Sequence, residues 1–286
     1  MIITAILITT LNEAIRKRTF IIMGIVTFLY LVFWTVMLNY FPNTTVTHGM
    51  GNQFRPFAIQ MVTKMGFQFS AMLIALLTIM LGSGAIASEL ESGLIQGILT
   101  RPIHRYQFIL GKLGGLVLLA CTYATLLFSS ILVIGALFGL STITSLTFSQ
   151  ILSGWLLYLL LPVAVLCVTI FGSVTLKAVP NGILMIFIYI LGNVGGMVEM
   201  IGQYVNNNSV IGTGIFISLV SPFQTIYSTM ERIMVPNSEL AAGAMAGASL
   251  SGSGKPASIW MFLYIAIYML GFVTLAIRKF SRKDIS

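Results

Sequence analysis

The chain has 286 residues, of which 57% are hydrophobic and 8% charged, whereas soluble domains average roughly 45–50% apolar and 25% charged residues. This composition excludes an ordinary soluble protein and indicates that much of the chain lies in lipid. The net charge of +8 favours no nucleic-acid partner, because the basic residues flank apolar runs instead of forming a patch.

Six apolar runs of about 20 residues are each long enough to cross the ~30 Å hydrocarbon core of a bilayer. They lie near 20–40, 67–87, 113–138, 151–175, 181–201 and 258–277. The sequence therefore predicts an all-α polytopic membrane protein with six transmembrane helices. If the N-terminus is cytoplasmic, the cytoplasmic segments hold 11 of the 15 Lys and Arg residues. The positive-inside rule then predicts a multi-pass protein with both termini in the cytoplasm.

Residues 1–19 have the pattern of an amphipathic helix. Ile3, Leu7 and Leu11 follow helical spacing on one face, and Glu13 lies on another. A helix of this kind is expected to lie in the cytoplasmic interface of the membrane. The alternative is that it forms the front end of a long, tilted first span.

Residues 88–112 form the largest internal cytoplasmic loop in this topology. Ser88 followed by Glu91 has the spacing of a capping box, which predicts that a new helix begins there. Pro102 disfavours helical geometry at Arg101, so this helix is expected to end there after roughly three turns. One side of this helix would face the spans, and the other side would be available to a partner protein.

Residues 202–257 form the longest exterior loop. Its first part, 209–236, is too apolar for a solvated loop, yet Ser221 and Pro222 divide it into two pieces too short to cross. We predict two short re-entrant helices that dip into the outer leaflet and pack on protein. A seventh and an eighth crossing made from the same segment is the alternative. Residues 237–258, rich in Gly, Ala and Ser, are expected to form an exterior linker.

The sequence shows no catalytic, metal or nucleotide site. Glu199 is the only acidic residue at a predicted span, and it lies near the outer end of that span. It is interpreted either as an interfacial carboxylate or as a residue at the exit of a transport route. Cys121 and Cys167 lie inside predicted spans, where they are expected to pack as small apolar residues. Residues 251–255 lack the first Gly of a phosphate-binding loop, and Pro256 follows the Lys. The chain is therefore not predicted to be an enzyme.

Residues 88–112 resemble the signature region of the type-2 ATP-binding-cassette (ABC) permeases, the six-span membrane subunits of many bacterial exporters. That family typically shows a Glu, a Gly four residues later, a Pro with a basic residue in a turn, and a Gly-Lys pair entering the third span. The matching positions are Glu89, Gly93, Pro102, Arg105, Gly111 and Lys112. Leu94 departs from the pattern, because a Thr commonly follows the Gly. The broken exterior element, which contains Ser221, Pro222 and Tyr227, extends the resemblance toward the C-terminus.

The resemblance implies that the loop couples the spans to a separate ABC ATPase subunit, which uses ATP and Mg while this chain binds no cofactor itself. The implied coupling residues are Glu89, Glu91, Gly93, Arg101, Pro102, Arg105, Gly111 and Lys112. Glu89 or Glu91 would pair with basic groups of the ATPase, but Glu91 is equally explained as a cap. Lys112 is also explained as a marker of the lipid headgroup boundary at the third span.

The implied function is that of the membrane-spanning permease of an ATP-driven exporter in a bacterial or archaeal plasma membrane. It would act with a second permease chain, as a homodimer or a heterodimer. An apolar interior favours a hydrophobic drug or peptide as cargo, and a sodium ion or a metalloenzyme-maturation substrate are the alternatives. An ATP-independent membrane scaffold or enzyme is the alternative from another functional class.

Overall fold

The computed structural model describes residues 2–47, 55–92, 105–235 and 259–282. Within these ranges the secondary structure is helical, without a β-strand. The helices are α1 (Ile2–Arg16), α2 (Arg18–Thr47), α3 (Arg55–Ser83), α4 (Ala87–Glu91), α5 (Arg105–Leu137), α6 (Ser141–Thr144), α7 (Phe148–Thr175), α8 (Ala178–Tyr204), α9 (Asn208–Val220), α10 (Phe223–Met234) and α11 (Ile259–Ser281).

Six helical segments of the described chain are long and apolar enough to cross a membrane. They are α2, α3 together with α4, α5, α7, α8 and α11. Many of their large apolar side chains are exposed on the outer surface of the bundle, as expected for helices that face lipid. Within the described residues, the prediction of an all-helical protein with six helices long and apolar enough to cross a membrane is confirmed.

Helices α3 and α7 form the centre of the bundle. Each packs on the other, on α5 and on α8, while α2 packs on α3, and α10 and α11 pack on α7. The crossing of α3 and α7 is close at Gly82, where an added Cβ would lie 3.0 Å from Thr169 Cγ2. Farther along, the buried hydroxyl of Tyr158 donates a hydrogen bond of 2.6 Å to Ser70 Oγ. The two central helices are thus joined by both close packing and a polar contact.

Helix α1 is separated from α2 by a bend at Lys17. It packs mainly on the start of α5, whereas α2 packs mainly on α3. The contact is close at Gly115 of α5, where an added Cβ would lie 2.9 Å from the carbonyl oxygen of Leu7 and 3.0 Å from Thr10 Cβ. The two helices therefore have different neighbours, and the interfacial position of α1 stays a prediction.

Helix α9 folds back antiparallel along α8. The close contacts along this pair are Gly202 with Ile211, Gly195 with Ile217, and Gly192 with Ser221. The chain then bends by 102° at the buried residues Ser221 and Pro222. Helix α10 packs along α7, with Met234 against Gly154.

Helices α9 and α10 have 13 and 12 residues. At 1.5 Å per residue each is about 20 Å long, which is less than the ~30 Å hydrocarbon core. Their lengths argue against the alternative of two additional crossings. Their depth in the outer leaflet stays a prediction.

We expect Gly115→Ala to destabilise the protein, because its new methyl group would collide with the backbone of α1 and overpacking costs about 1–3 kcal/mol. The measurement is thermal unfolding of the detergent-solubilised chain. Gly24→Ala is the matched control, since nothing lies within 4 Å of a Cβ at that position of α2. Equal unfolding temperatures for the two variants would contradict the close packing of α1 on α5.

Candidate functional site

The second membrane-crossing segment is interrupted near one end. Helix α3 ends at Ser83, three residues form a turn, and α4 begins at Ala87. Such a break frees backbone N–H and C=O groups, and here they need partners within the protein because Ala85, Ile86 and Ala87 are buried. In this structure, side chains from three other helices bind those groups.

Ser173 of α7 caps the beginning of α4. Its Oγ accepts hydrogen bonds from the backbone N–H groups of Ile86 at 3.0 Å and Ala87 at 2.9 Å. Ser173 is fully buried, so water does not compete for these two donors. One hydroxyl group therefore satisfies two of the amides that the break releases.

Asn181 of α8 binds the other side of the break. Its Nδ2 donates to the carbonyl oxygen of Ser83 at 3.2 Å and to that of Thr169 in α7 at 3.0 Å. The side chain is fully buried, and a Cβ at Gly172 would lie 1.9 Å from Asn181 Oδ1. Helices α3, α7 and α8 therefore meet around a single amide that fits only beside a glycine.

Lys112 of α5 makes the third connection. Its Nζ lies 2.5 Å from Glu89 Oε1 in α4 and also donates to the carbonyl oxygen of Ala85. The two charged side chains are only 5% and 15% exposed. The ammonium group also lies 5.5 Å from the ring centroid of Phe108. Because an unpaired buried charge is costly, this ion pair holds α4 on α5.

Helix α1 contributes a second ion pair close to the first. Lys17 Nζ lies 2.9 Å from Glu13 Oε1, one helical turn away. Partial burial raises the pKa of the Glu13 carboxyl group, but the hydrogen bond from Lys17 and the positive charges of Lys17 and Lys112 outweigh it, so the pKa is lowered overall. The field of Lys112 therefore reaches α1 as well as α4.

Glu91 connects the end of α4 to the start of α8. Its Oε1 accepts a hydrogen bond of 3.4 Å from the backbone N–H of Ala178, and a carboxylate is favourable at a helix N-terminus. The predicted capping box is wrong, because the Ser88 hydroxyl donates to the carbonyl oxygen of Gly84 and α4 begins without a side-chain cap of its own. The residue that caps α4 is Ser173, which the local spacing does not reveal.

Burial also changes the interpretation of Glu89 and Lys112. The Lys112 side chain does not extend outward from the bundle, because it is buried and paired with Glu89, and its role as a headgroup marker stays a prediction. The Glu89 carboxylate is held by the same pair, and its side chain is only 15% exposed. Both side chains therefore stabilise the attachment of α4 to the bundle.

The other residues predicted for the loop are only partly described. The structure describes α4 as far as Glu91, with Ser92 as its C-cap. Gly111 is buried beside Lys112, and Arg105 is the first residue of α5. Gly93, Arg101 and Pro102 lie outside the described residues, as does the predicted end of the coupling helix.

A second charged cluster lies where α10 meets α3. Lys64 Nζ is 3.4 Å from Glu231 Oε1, and the Glu231 side chain is only 3% exposed. The hydroxyl of Tyr227 donates to the carbonyl oxygen of Lys64 at 3.4 Å. Glu199 is half-buried, and its charge acts on Arg232. The bent pair α9–α10 is thus attached to the rest of the bundle by charged side chains.

The sequence reasoning missed Ser173, Asn181 and the pair Lys64–Glu231. Each is a polar or charged side chain in or beside an apolar helix, where such groups are costly and often functional. That signal marks the residues as unusual. It does not identify their partners, which come from other helices.

The comparison with known families agrees with the helical architecture. A model of the family described as "ABC-2 family transporter protein" matches residues 4–285, nearly the whole chain. No curated protein matches the chain significantly. The family match therefore includes α1, both charged clusters and all the crossing helices.

We expect Ser173→Ala to destabilise the break, because two buried N–H groups lose their acceptor and each unsatisfied group costs about 1–3 kcal/mol. Hydrogen exchange of the backbone at residues 84–92 should become faster. Ser153→Ala is the control in the same helix, since the Ser153 hydroxyl binds only carbonyl oxygens of α7 itself. Unchanged exchange in the Ser173 variant would refute the proposed cap.

We expect Lys112→Met and Glu89→Leu each to lower stability by about 3–5 kcal/mol, because each leaves the other charge buried and unpaired. The double variant should lose much less than the sum of the two. Chemical unfolding of all four proteins in the same detergent measures this coupling. Simple additivity of the two losses would show that the pair does not stabilise the junction.

Proposed function

The chain belongs to the ABC-2 family of transporter proteins, as the membrane permease component of an ABC transporter, and from this premise we propose that it exports an apolar substrate using ATP hydrolysed by a separate subunit. Two ABC ATPase subunits would bind on the cytoplasmic side. Two permease chains, identical or different, would enclose the route that the substrate takes through the membrane. The chain itself would bind neither ATP nor Mg.

The attachment of α4 to three crossing helices is the observation that carries the proposal. Glu89 pairs with Lys112 of α5, Ser173 of α7 caps the start of α4, and Glu91 contacts the start of α8. A displacement of this short element is therefore transmitted directly to α5, α7 and α8. Coupling of distant sites requires such contiguous packed and hydrogen-bonded contacts.

The segment between α4 and α5 is the proposed docking point for the ATPase. It joins two elements that Lys112 holds together, so a force on it acts on both α4 and α5. Gly93, Arg101, Pro102 and Arg105 would contact the ATPase or set the turn, while Glu89 and Lys112 transmit the displacement. Helix α1 would lie in the cytoplasmic interface and move with α5, because the two pack together.

The bent pair α9–α10 is proposed to lie in the outer leaflet and to close the exterior side of the route. Its bend at Ser221 and Pro222 lies against Gly192, near the middle of α8. The Lys64–Glu231 pair and the Tyr227 hydroxyl attach it to α3. Opening toward the exterior would require these contacts to change.

An apolar cargo is supported by the distribution of charge. The charged side chains in the crossing helices lie toward their ends, at positions such as Lys64, Glu89, Lys112 and Glu199, and the central parts contain none. A fixed charge at membrane depth is costly and would be expected along a route for an ionic substrate. A hydrophobic drug or peptide is therefore the proposed cargo, and sodium or a metalloenzyme-maturation substrate are the alternatives.

We expect replacement of residues 93–101 by a Gly/Ser linker of equal length to abolish coupling, because a flexible segment absorbs displacement instead of transmitting it. The measurement is ATPase activity and apolar-dye export in vesicles that contain the chain and a co-expressed ABC ATPase subunit from the same organism. Activity should fall to the level of the ATPase alone.

The matched control replaces residues 238–246 by the same linker, on the predicted exterior side. This variant should retain the complex and its export activity. Full coupling in the 93–101 variant would contradict the proposed docking point. An assembled chain that changes neither ATP hydrolysis nor the export of any of the three cargo classes would favour the ATP-independent scaffold or enzyme.

A further inference from the structure

A groove of about 440 Å³ lies between α7, α8, α9 and α11. Its walls are almost entirely apolar and include Phe171, Leu184, Met185, Phe216, Tyr268 and Phe272. The hydroxyls of Tyr264 and Tyr268 donate to the carbonyl oxygens of Leu219 at 2.6 Å and Val220 at 3.0 Å. Both tyrosine hydroxyls are thus paired, and apart from Thr175 and Asn181 the rest of the groove offers a ligand mainly aliphatic and aromatic surface.

The groove opens on the outer surface of the bundle, between helices that are long and apolar enough to cross a membrane. Leu184, Phe216 and Val220 belong to its lining and are also exposed on the outer surface of the chain. A groove between membrane-crossing helices with such a rim is in contact with acyl chains rather than with water. Its natural occupant is therefore a molecule that enters from the bilayer.

Positive charge lies beyond one end of the groove. Thr175 and Leu176 line it at the end of α7, and the next residue, Lys177, is exposed. Three residues of α11 that line the groove lie on one face of that helix, namely Tyr264, Tyr268 and Phe272. At 3.6 residues per turn the same face continues to Lys279.

The two lysines come to the same end of the groove. Phe171 of α7 and Phe272 of α11 have ring centroids 5.5 Å apart. Lys177 follows the first by six residues and Lys279 follows the second by seven, and both helices end near the start of α5. Both lysines are exposed, and neither forms an ion pair with the residues that the structure describes; the Glu91 carboxylate nearby accepts from the amide of Ala178.

We propose that the α7–α11 groove binds one anionic phospholipid, with an acyl chain between α7, α8 and α11 and the phosphate at Lys177 and Lys279. Lipids with a negative headgroup combine the two features that the site requires, which are a long apolar chain and a charge at the membrane surface. A neutral lipid would fill the groove but gain nothing from the two ammonium groups. The site is independent of ATP coupling, so it is tested on the permease chain alone.

The test uses the full-length chain reconstituted in bilayers of phosphatidylglycerol and phosphatidylcholine in equal amounts. After mild extraction, native mass spectrometry counts the lipids of each kind that stay bound. We expect retention of one phosphatidylglycerol. Lys177→Gln with Lys279→Gln should weaken that retention about 25-fold, because each basic residue near a membrane surface contributes about fivefold.

Two matched controls separate this site from a general attraction to positive charge. Arg16→Gln with Arg18→Gln removes two exposed cations from helices that do not line the groove, and it should leave retention unchanged. Leu184→Trp fills the groove and should expel the lipid, whereas Ile183→Trp adds the same bulk to an exposed neighbour outside the lining. All variants must elute as the wild-type chain does in size-exclusion chromatography.

Three results would overturn the proposal. One is equal retention of the two lipids by the wild-type chain, which would leave the lysines without a role. Another is an equal loss in the Arg16/Arg18 variant, which would indicate diffuse attraction by the whole basic surface. The third is full retention by a folded Leu184→Trp variant, which would place the lipid elsewhere.

Discussion

A helix that breaks in a membrane must have its freed backbone groups bound by neighbouring helices, because water is scarce there. The break between α3 and α4 meets this requirement with Ser173, Asn181 and Lys112, one from each of three helices. Each of these side chains is buried. If one is removed, water does not replace it, and the backbone group that it bound is left without a hydrogen bond. The relative positions of α3, α5, α7 and α8 at this end of the bundle depend on this set of contacts.

The two charged clusters have a common design. At one end Lys112 pairs with Glu89, and at the other Lys64 pairs with Glu231. Each pair joins a short element, α4 or α10, to a long crossing helix. Buried ion pairs stabilise less than their attraction suggests, but removal of one partner is costly, so they favour one specific arrangement. In the proposed exporter, the two short elements are the parts that receive force on one side and open the route on the other.

The sequence predicts those features that a single segment determines, and it does not predict those that depend on contacts between separate helices. The crossing helices follow from apolar length, and the bend between α9 and α10 lies at Ser221 and Pro222, where the chain cannot continue a helix. The capping box of Ser88 and Glu91 has the correct local spacing, yet both side chains bind other groups. Ser88 makes a different local hydrogen bond, four residues back, while Glu91 makes a tertiary one to α8. The start of α4 is therefore determined by its contacts with α7 and α8 and not by the local spacing.

Composition and periodicity are sufficient to predict the six helices that are long and apolar enough to cross a membrane, because the length and hydropathy of each helix depend only on its own residues. The residue pattern at 88–112 is also sufficient to indicate the family that the whole-chain match shows. The partners of the polar residues depend instead on folding: Lys112 binds a carbonyl oxygen 27 residues away, and Ser173 binds amides 86 and 87 residues away. Such contacts form only when separate helices come together, since their energy depends on burial and geometry that a single segment does not contain.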